Sequence, residues 1–331
     1  MLGVTFMKLI VADIGGTNAR FAVSEKGNPS LRHITYLRCS DFEGFEDAFE
    51  RFLAGLPRDE QSGHHLLSLA VAGPVNDQIV DVSNNHWRFD KNWILERLAL
   101  NKLLVINDFT AQALAQHEAA DGERSQILGG VEDASAPLLV IGPGTGLGVS
   151  ALIPSAQGPL PVEGEGGNIR FSPQTEPERE LCAFMEQQTD HVVVEHFVSG
   201  PGLENIHRFL TDSASKEPSL SAEMIVTLAL HEEGICRDAV NLMTGILGAV
   251  VRDHVLTMGC WRGTVITGGI MPRLHSLIVS SPLERRFRSA GEMSHILEKV
   301  PVWLSMDPHA GLKGAKAAFD NSYLAHRMVT R

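Results

Sequence analysis

One pattern occurs twice in this 331-residue chain and limits its fold more than any other feature: an apolar strand run, a glycine-bearing turn, then strand character again. The first copy is centred on Ala12-Asp13-Ile14-Gly15-Gly16-Thr17-Asn18-Ala19-Arg20. The second is Gly142-Pro143-Gly144-Thr145-Gly146-Leu147-Gly148. Residues 8–13 and 138–141 read as incoming strands, and 21–23 and 149–153 as outgoing ones. Glycine permits positive φ and close backbone approach, so consecutive N–H groups in such turns can point at one anion. Thr17 and Thr145 add hydroxyl donors. Asp13, at a strand end, is placed to hold a hydrated magnesium ion that neutralises the same phosphates. Taken singly, each turn is equally explained as an ordinary tight hairpin. Together, one with Asp before it and one flanked by Thr, they favour phosphate binding.

Two common phosphate loops are excluded locally. The dipeptide Gly-Lys is absent from the chain, so there is no G-x-x-x-x-G-K-[ST] loop. A dinucleotide fingerprint needs its glycine turn to open a helix, whereas both turns here run on into strand-type residues. The formal charge, 28 Lys+Arg against 40 Asp+Glu for a net −12, argues against a broad basic face and so against nucleic acid as partner. It does not exclude one phosphate-bearing ligand in a local pocket. Cys39, Cys182, Cys236 and Cys260 are widely spaced with no C-x-x-C, which points to neither a disulfide framework nor a thiolate zinc site. No apolar run approaches the ~18 residues that span a bilayer. The N-terminal segment MLGVTFMKLIVAD lacks a small-residue cleavage site. A reduced, cytoplasmic protein without a membrane partner is the expectation.

Strand and helix patterns alternate along the chain, which predicts an α/β fold. Strands are expected at 33–37, 66–72, 78–81, 102–107, 264–267 and 302–305. Helices are expected at 42–56, 92–100, from about 109, and at 178–188, 221–230, 237–258 and 310–324. The polar stretch 211–221 reads as a loop. Asn107-Asp108 falls where a strand ends and a helix begins, a place where α/β enzymes put chemistry. Asp108 is read two ways from its residues alone: as the helix N-cap, or as a base that accepts a hydroxyl proton. Planar carboxylates and amides grip neighbouring sugar hydroxyls, which makes Asn107, Asp108, Glu165 and Glu195 candidates. Glu165, between glycines, is otherwise a solvated loop glutamate. Glu195 follows three valines and is otherwise an exposed residue on an amphipathic segment. Thr267-Gly268-Gly269, taken bare, is a turn after a strand.

Six ordered segments together, DIGGTNAR (13–20), INDFTA (106–111), GPGTGLGV (142–149), GEGGN (164–168), SGPGL (199–203) and TGGIMPR (267–273), resemble the bacterial, hexokinase-like glucokinases of the actin-like ATPase superfamily. The resemblance runs over nearly the whole chain. It implies two related actin-like, ribonuclease H-like α/β domains around a central cleft: a small one at 8–108 plus 313–331, and a large one at 109–312. It implies ATP as phosphoryl donor with Mg2+, glucose as acceptor and Asp108 as general base. It places glucose on Asn107, Asp108, Glu165, Asn168 and Glu195. It places nucleotide on Ala12, Asp13, Ile14, Gly15, Gly16, Thr17, Gly144, Thr145, Gly146, Gly268 and Gly269, with Asp13 reaching magnesium through water. A homodimer is implied too. One departure stands out: the family usually has His where this chain has Asn168. Asn is shorter and does not titrate near neutral pH. That leaves open a broader hexose or amino-sugar kinase, and a non-catalytic sugar-sensing regulator is a third, weaker reading.

Overall fold

The computed structural model describes residues 8–25, 30–61, 63–117, 119–211 and 220–331; the expected loop at 211–221 and the residues before Lys8 fall largely or wholly outside them. Contacts divide the chain into two units. Among the described residues, unit 1 holds those up to Ala119 with Ser155–Pro161 and Asp307–Arg331, and unit 2 holds Ala120–Pro154 and Val162–Met306. Residues 109–119, 155–161 and 307–312 therefore group with unit 1.

In unit 1 the strands are β1 (Lys8–Ile14), β2 (Asn18–Glu25), β3 (Leu31–Arg38) and β4 (His64–Val71), then a small ribbon of β5 (Ile79–Asp81) and β6 (Arg88–Asp90), then β7 (Lys102–Asn107). Unit 2 is built on β8 (Arg124–Leu128), β9 (Leu138–Pro143), β10 (Leu147–Ile153), β11 (Leu160–Gly164), β12 (Gly263–Ile266) and β13 (Val302–Ser305), and β14 (Val329–Thr330) ends the chain. The sheet orders are β3-β2-β1-β4-β7-β14 and β11-β10-β9-β12-β13-β8. Both begin with the same logic. A hairpin (β1–β2, β9–β10) supplies a central strand that pairs in parallel with the next long strand (β4, β12), which pairs in parallel with another (β7, β13). Beyond that strand each sheet closes with an antiparallel edge strand, β14 against β7 and β8 against β13. The central strands β1 and β9 are almost wholly buried, as strands covered on both faces must be.

The helices are α1 (Phe45–Gly55), α2 (Lys91–Arg97), α3 (Asp108–His117), α4 (Glu176–Glu186), α5 (Gly200–Leu210), α6 (Ala222–His231), α7 (Ile235–Met258), three short ones, α8 (His275–Ile278), α9 (Leu283–Arg288) and α10 (Ser294–Leu297), and α11 (Ala310–Phe319). Each unit has its own apolar core: Phe21 with Phe45, Phe49 and Phe52 in unit 1, and α7 with the faces of α5 and α6 in unit 2. Three expected helices are shorter than read; the one expected at 92–100 ends at Arg97. The first starts at Phe45, because residues 39–41 form a 3-10 turn and Phe42 is extended. The last ends at Phe319, after which Asn321 caps a separate 3-10 turn over Ser322–Arg327. Among the described residues α7 alone is long and apolar enough to cross a membrane by composition, and most of it is buried in the unit 2 core.

Candidate active site

Both glycine segments are hairpin turns, with Ile14 paired to Ala19 and Pro143 to Leu147 across them. In unit 1 the register runs Ile14–Val71–Asn107 across β1, β4 and β7. The first glycine turn and Asn107-Asp108 thus leave the same end of one sheet. Ala12 and Ile14 are fully buried in β1, and the Ile14 carbonyl accepts the Ala72 N–H (2.9 Å). Gly15, Gly16 and Thr17 reach the surface. The Gly15 carbonyl is held by Asn85 Nδ2 (3.2 Å), and Thr17 and Gly16 line an open depression with Cys39, Ser40, Asn84 and His86. Asp13 is 8% exposed and accepts from Arg20 Nη1 at 2.8 Å. Burial raises its pKa above the usual 3.8, and the Arg20 charge and hydrogen bond oppose that.

The capping role that Asp108 might have filled goes to its neighbour. Asn107 Oδ1 accepts the N–H groups of Phe109 (2.8 Å) and Thr110 (3.4 Å), and Asn107 Nδ2 donates to the Gly73 carbonyl (3.2 Å). Asp108 is the first residue of α3, and its Oδ1 also accepts from Phe109 N–H (2.9 Å). A carboxylate in the first turn of a helix is favoured by the helix dipole.

Unit 2 gathers the remaining candidates. Gly144 and Thr145 are exposed, and the Gly144 carbonyl accepts from the N–H of Gly200 (2.8 Å), the first residue of α5. Ser199 caps that helix by accepting from Gly202 N–H (2.9 Å). Gly268 has φ 104° and lies so close to Pro143 that a side chain there would strike its carbonyl, so the 267–269 turn is pressed onto the second glycine turn. Glu195 lies in a 3-10 turn, Val194–His196, and accepts the Leu147 N–H at Oε2 (2.8 Å). This supplies the polar partner its half-buried carboxylate needs. Glu165 and Asn168 are both exposed on one 3-10 turn, Asn168 N–H donating to the Glu165 carbonyl (2.9 Å) and its Nδ2 to Glu165 Oε2 (3.4 Å). Val194 N–H donates to the Ile169 carbonyl (3.1 Å), which ties the two turns together.

Each unit thus brings its own set together: Gly15–Thr17, Asp13 and Asn107-Asp108 in unit 1; Gly144–Gly146, Gly268-Gly269, Glu165, Asn168 and Glu195 in unit 2. The sequence reading missed Arg20, Asn85 and the Ser199-capped start of α5 as parts of these sets. Only Arg20 had a local signal: in a hairpin turning at Gly15–Asn18 it must stand opposite Asp13. Among the described residues no three His, Cys, Asp or Glu side chains cluster as metal ligands.

The family model "Glucokinase" matches residues 10–322. A glucokinase of Aromatoleum aromaticum is 38% identical over 316 residues, 95% of each chain. One from Helicobacter pylori strain P12 is 38% identical over 331 residues, 97% of each chain. Among solved structures, a glucokinase from an Antarctic psychrotroph aligns with a TM-score of 0.81 at 31% identity, covering 96% of this chain and 100% of that one. The fold and these likenesses define a sugar kinase of the two-domain, actin-like class. Within that class, the chain belongs to the glucokinase family.

Proposed function

We propose that this chain transfers the γ-phosphoryl group of ATP to the 6-hydroxyl of glucose, with Asp108 as general base. Membership of the family makes ATP the donor and glucose the acceptor. The observation that carries the role of Asp108 is that Asn107 caps α3, while Asp108 stands beside it at the sheet end from which Gly15-Gly16 also leaves. In the reaction Asp108 accepts the proton of the 6-hydroxyl as its oxygen bonds to the γ-phosphorus, the bond to the ADP oxygen breaks, and ADP departs. Asn107, Glu165, Asn168 and Glu195 hold sugar hydroxyls. Gly15 and Gly144 donate their N–H groups inside their own turns, to the carbonyls of Asn18 (3.0 Å) and Gly146 (2.8 Å). The backbone N–H groups of Gly16, Thr17, Thr145 and Gly146 are therefore the ones that face phosphate oxygens, and Gly268-Gly269 lies against the adenosine.

Magnesium fits Asp13. One carboxylate beside a phosphate turn suits an ion that keeps most of its ligands as water and phosphate oxygens. When bound, the ion neutralises charge on the β- and γ-phosphates. Family resemblance further supports a cytoplasmic homodimer. Steady-state kinetics of Asp108→Asn test the base: turnover should fall ~10²–10⁴-fold with glucose KM little changed. Near-wild-type turnover would sink the assignment. A parallel sugar panel tests the acceptor, because faster phosphorylation of mannose or N-acetylglucosamine than of glucose overturns it.

A further inference from the structure

His254 lies on α7, beneath the turn that carries Glu165 and Asn168, and none of the chemistry above uses it. It is 9% exposed, and within the described residues its Nε2 has no hydrogen-bond partner. A β-carbon added at Gly166 would stand 2.8 Å from His254 Cε1 and 2.8 Å from Val149 Cβ. The Gly166 backbone therefore occupies a slot between α7 and β10, with the imidazole as one wall. The same backbone interacts with the ring, and burial holds its pKa below the usual 6.5, so the imidazole is neutral near pH 7. Packing alone asks only for an apolar side chain of this size. The turn resting on the ring gives this side chain a role that filling space does not require.

We propose that His254 is a positioning residue for the sugar turn: its imidazole fixes the Gly166 backbone and thereby sets where Glu165 and Asn168 present their polar groups. This rests on the reading of that turn as part of the glucose site. The test is steady-state kinetics on His254→Leu, His254→Gln and Gly166→Ala, each first checked for folding by its thermal transition. In His254→Leu the glucose KM should rise roughly ten- to a hundredfold, while kcat and the ATP KM stay within about twofold, because a displaced turn weakens sugar binding before chemistry. His254→Gln, which keeps a donor and an acceptor, should recover most of the loss. A glucose KM for His254→Leu within about twofold of wild type, or equal impairment of the Leu and Gln variants, overturns the proposal. Should His254→Leu fail to fold, Gly166→Ala attacks the same contact from the turn, and an unchanged glucose KM there is equally fatal. Glu165→Ala separates the two layers of the argument. No effect in it defeats the sugar-turn reading and this proposal together, whereas a raised glucose KM there beside an unchanged one in His254→Leu defeats this proposal alone.

Discussion

The β1–β2 and β9–β10 hairpins hold the same position in their sheets, yet the chemistry at their turns is differently sourced. In the first, Asp13 and Arg20 face each other across the strands and pair at 2.8 Å. At the matching register in the second, Gly142 faces Gly148. The carboxylate at the second turn comes from outside the hairpin: Glu195, 48 residues along the chain from Leu147, takes the Leu147 N–H. A charge pair built into a hairpin is fixed by register and needs nothing else. An imported carboxylate depends on the segment that carries it, and here that segment is tied to the Glu165–Asn168 turn through Val194 and Ile169. The first hairpin thus carries its charge pair within itself, while the second is linked through Glu195, Val194 and Ile169 to the Glu165–Asn168 turn. Under the proposed function that joins a phosphate turn to a sugar turn in one unit.

The sharpest way to break this contrast is at Asp13. If Asp13 holds the magnesium ion as proposed, Asp13→Ala should lower turnover by ~10²-fold, since it removes the anchor of the cation that would neutralise the phosphates. The deficit should deepen as Mg2+ is reduced in a titration of initial rates. Turnover within about tenfold of wild type, with no altered Mg2+ dependence, would remove Asp13 from the metal-facing role. Glu195 tests the other hairpin with a smaller effect. Glu195→Ala removes the Leu147 acceptor and the sugar contact proposed above, so the KM for glucose and for ATP should both rise, glucose by roughly tenfold or more. Glu195→Gln keeps an acceptor for Leu147 N–H and should restore the ATP KM more than the glucose KM. If Gln and Ala give the same ATP KM, Glu195 does not support the second turn.

A third test reads stability. Gly268→Ala places a side chain at φ 104° against the Pro143 carbonyl and should cost about 1–3 kcal/mol in urea unfolding. Gly144→Ala, where a β-carbon meets nothing within 4 Å, should stay within about 0.5 kcal/mol. Equal losses would mean that the 267–269 turn is not pressed on the second glycine turn as described.

The sequence made the hairpins legible because apolar and β-branched residues flank both turns at strand spacing, with Phe21 after the first, and glycine marks where each must reverse. It left α5 unread, since Gly-Pro-Gly at its start reads as loop; the Ser199 cap that overrides this shows only in the structure. The edge and ribbon strands β6, β8 and β11 are short or half-exposed, so they lack the apolar runs that marked their neighbours. At Asn107-Asp108 the residues offered Asp108 as the helix cap, and the hydrogen bonds give that role to Asn107 instead. The partnership of Glu195 with Leu147 is a product of tertiary folding, and no local rule reaches it.

The smallest expected effect separates the units by pH. In unit 2, burial depresses His207 and His254 below 6.5. Each is therefore held neutral in the folded state while the unfolded chain takes up a proton. Their contribution to stability is present above the unfolded pKa and is lost as pH falls from about 7 towards 5. Asp13 in unit 1 has the opposite sign. Its folded pKa lies above 3.8, so its contribution is full in acid and is lost as pH rises through that folded value. Thermal unfolding of wild type should thus shift down between pH 7 and 5, and a His207→Leu, His254→Leu double variant should flatten that slope. Hydrogen exchange across the same range should show protection falling in α5 and α7, which carry the two histidines, and not in β1, where Asp13 has the opposite sign. A double variant with the wild-type slope would show that the two buried histidines do not set how unit 2 responds to acid.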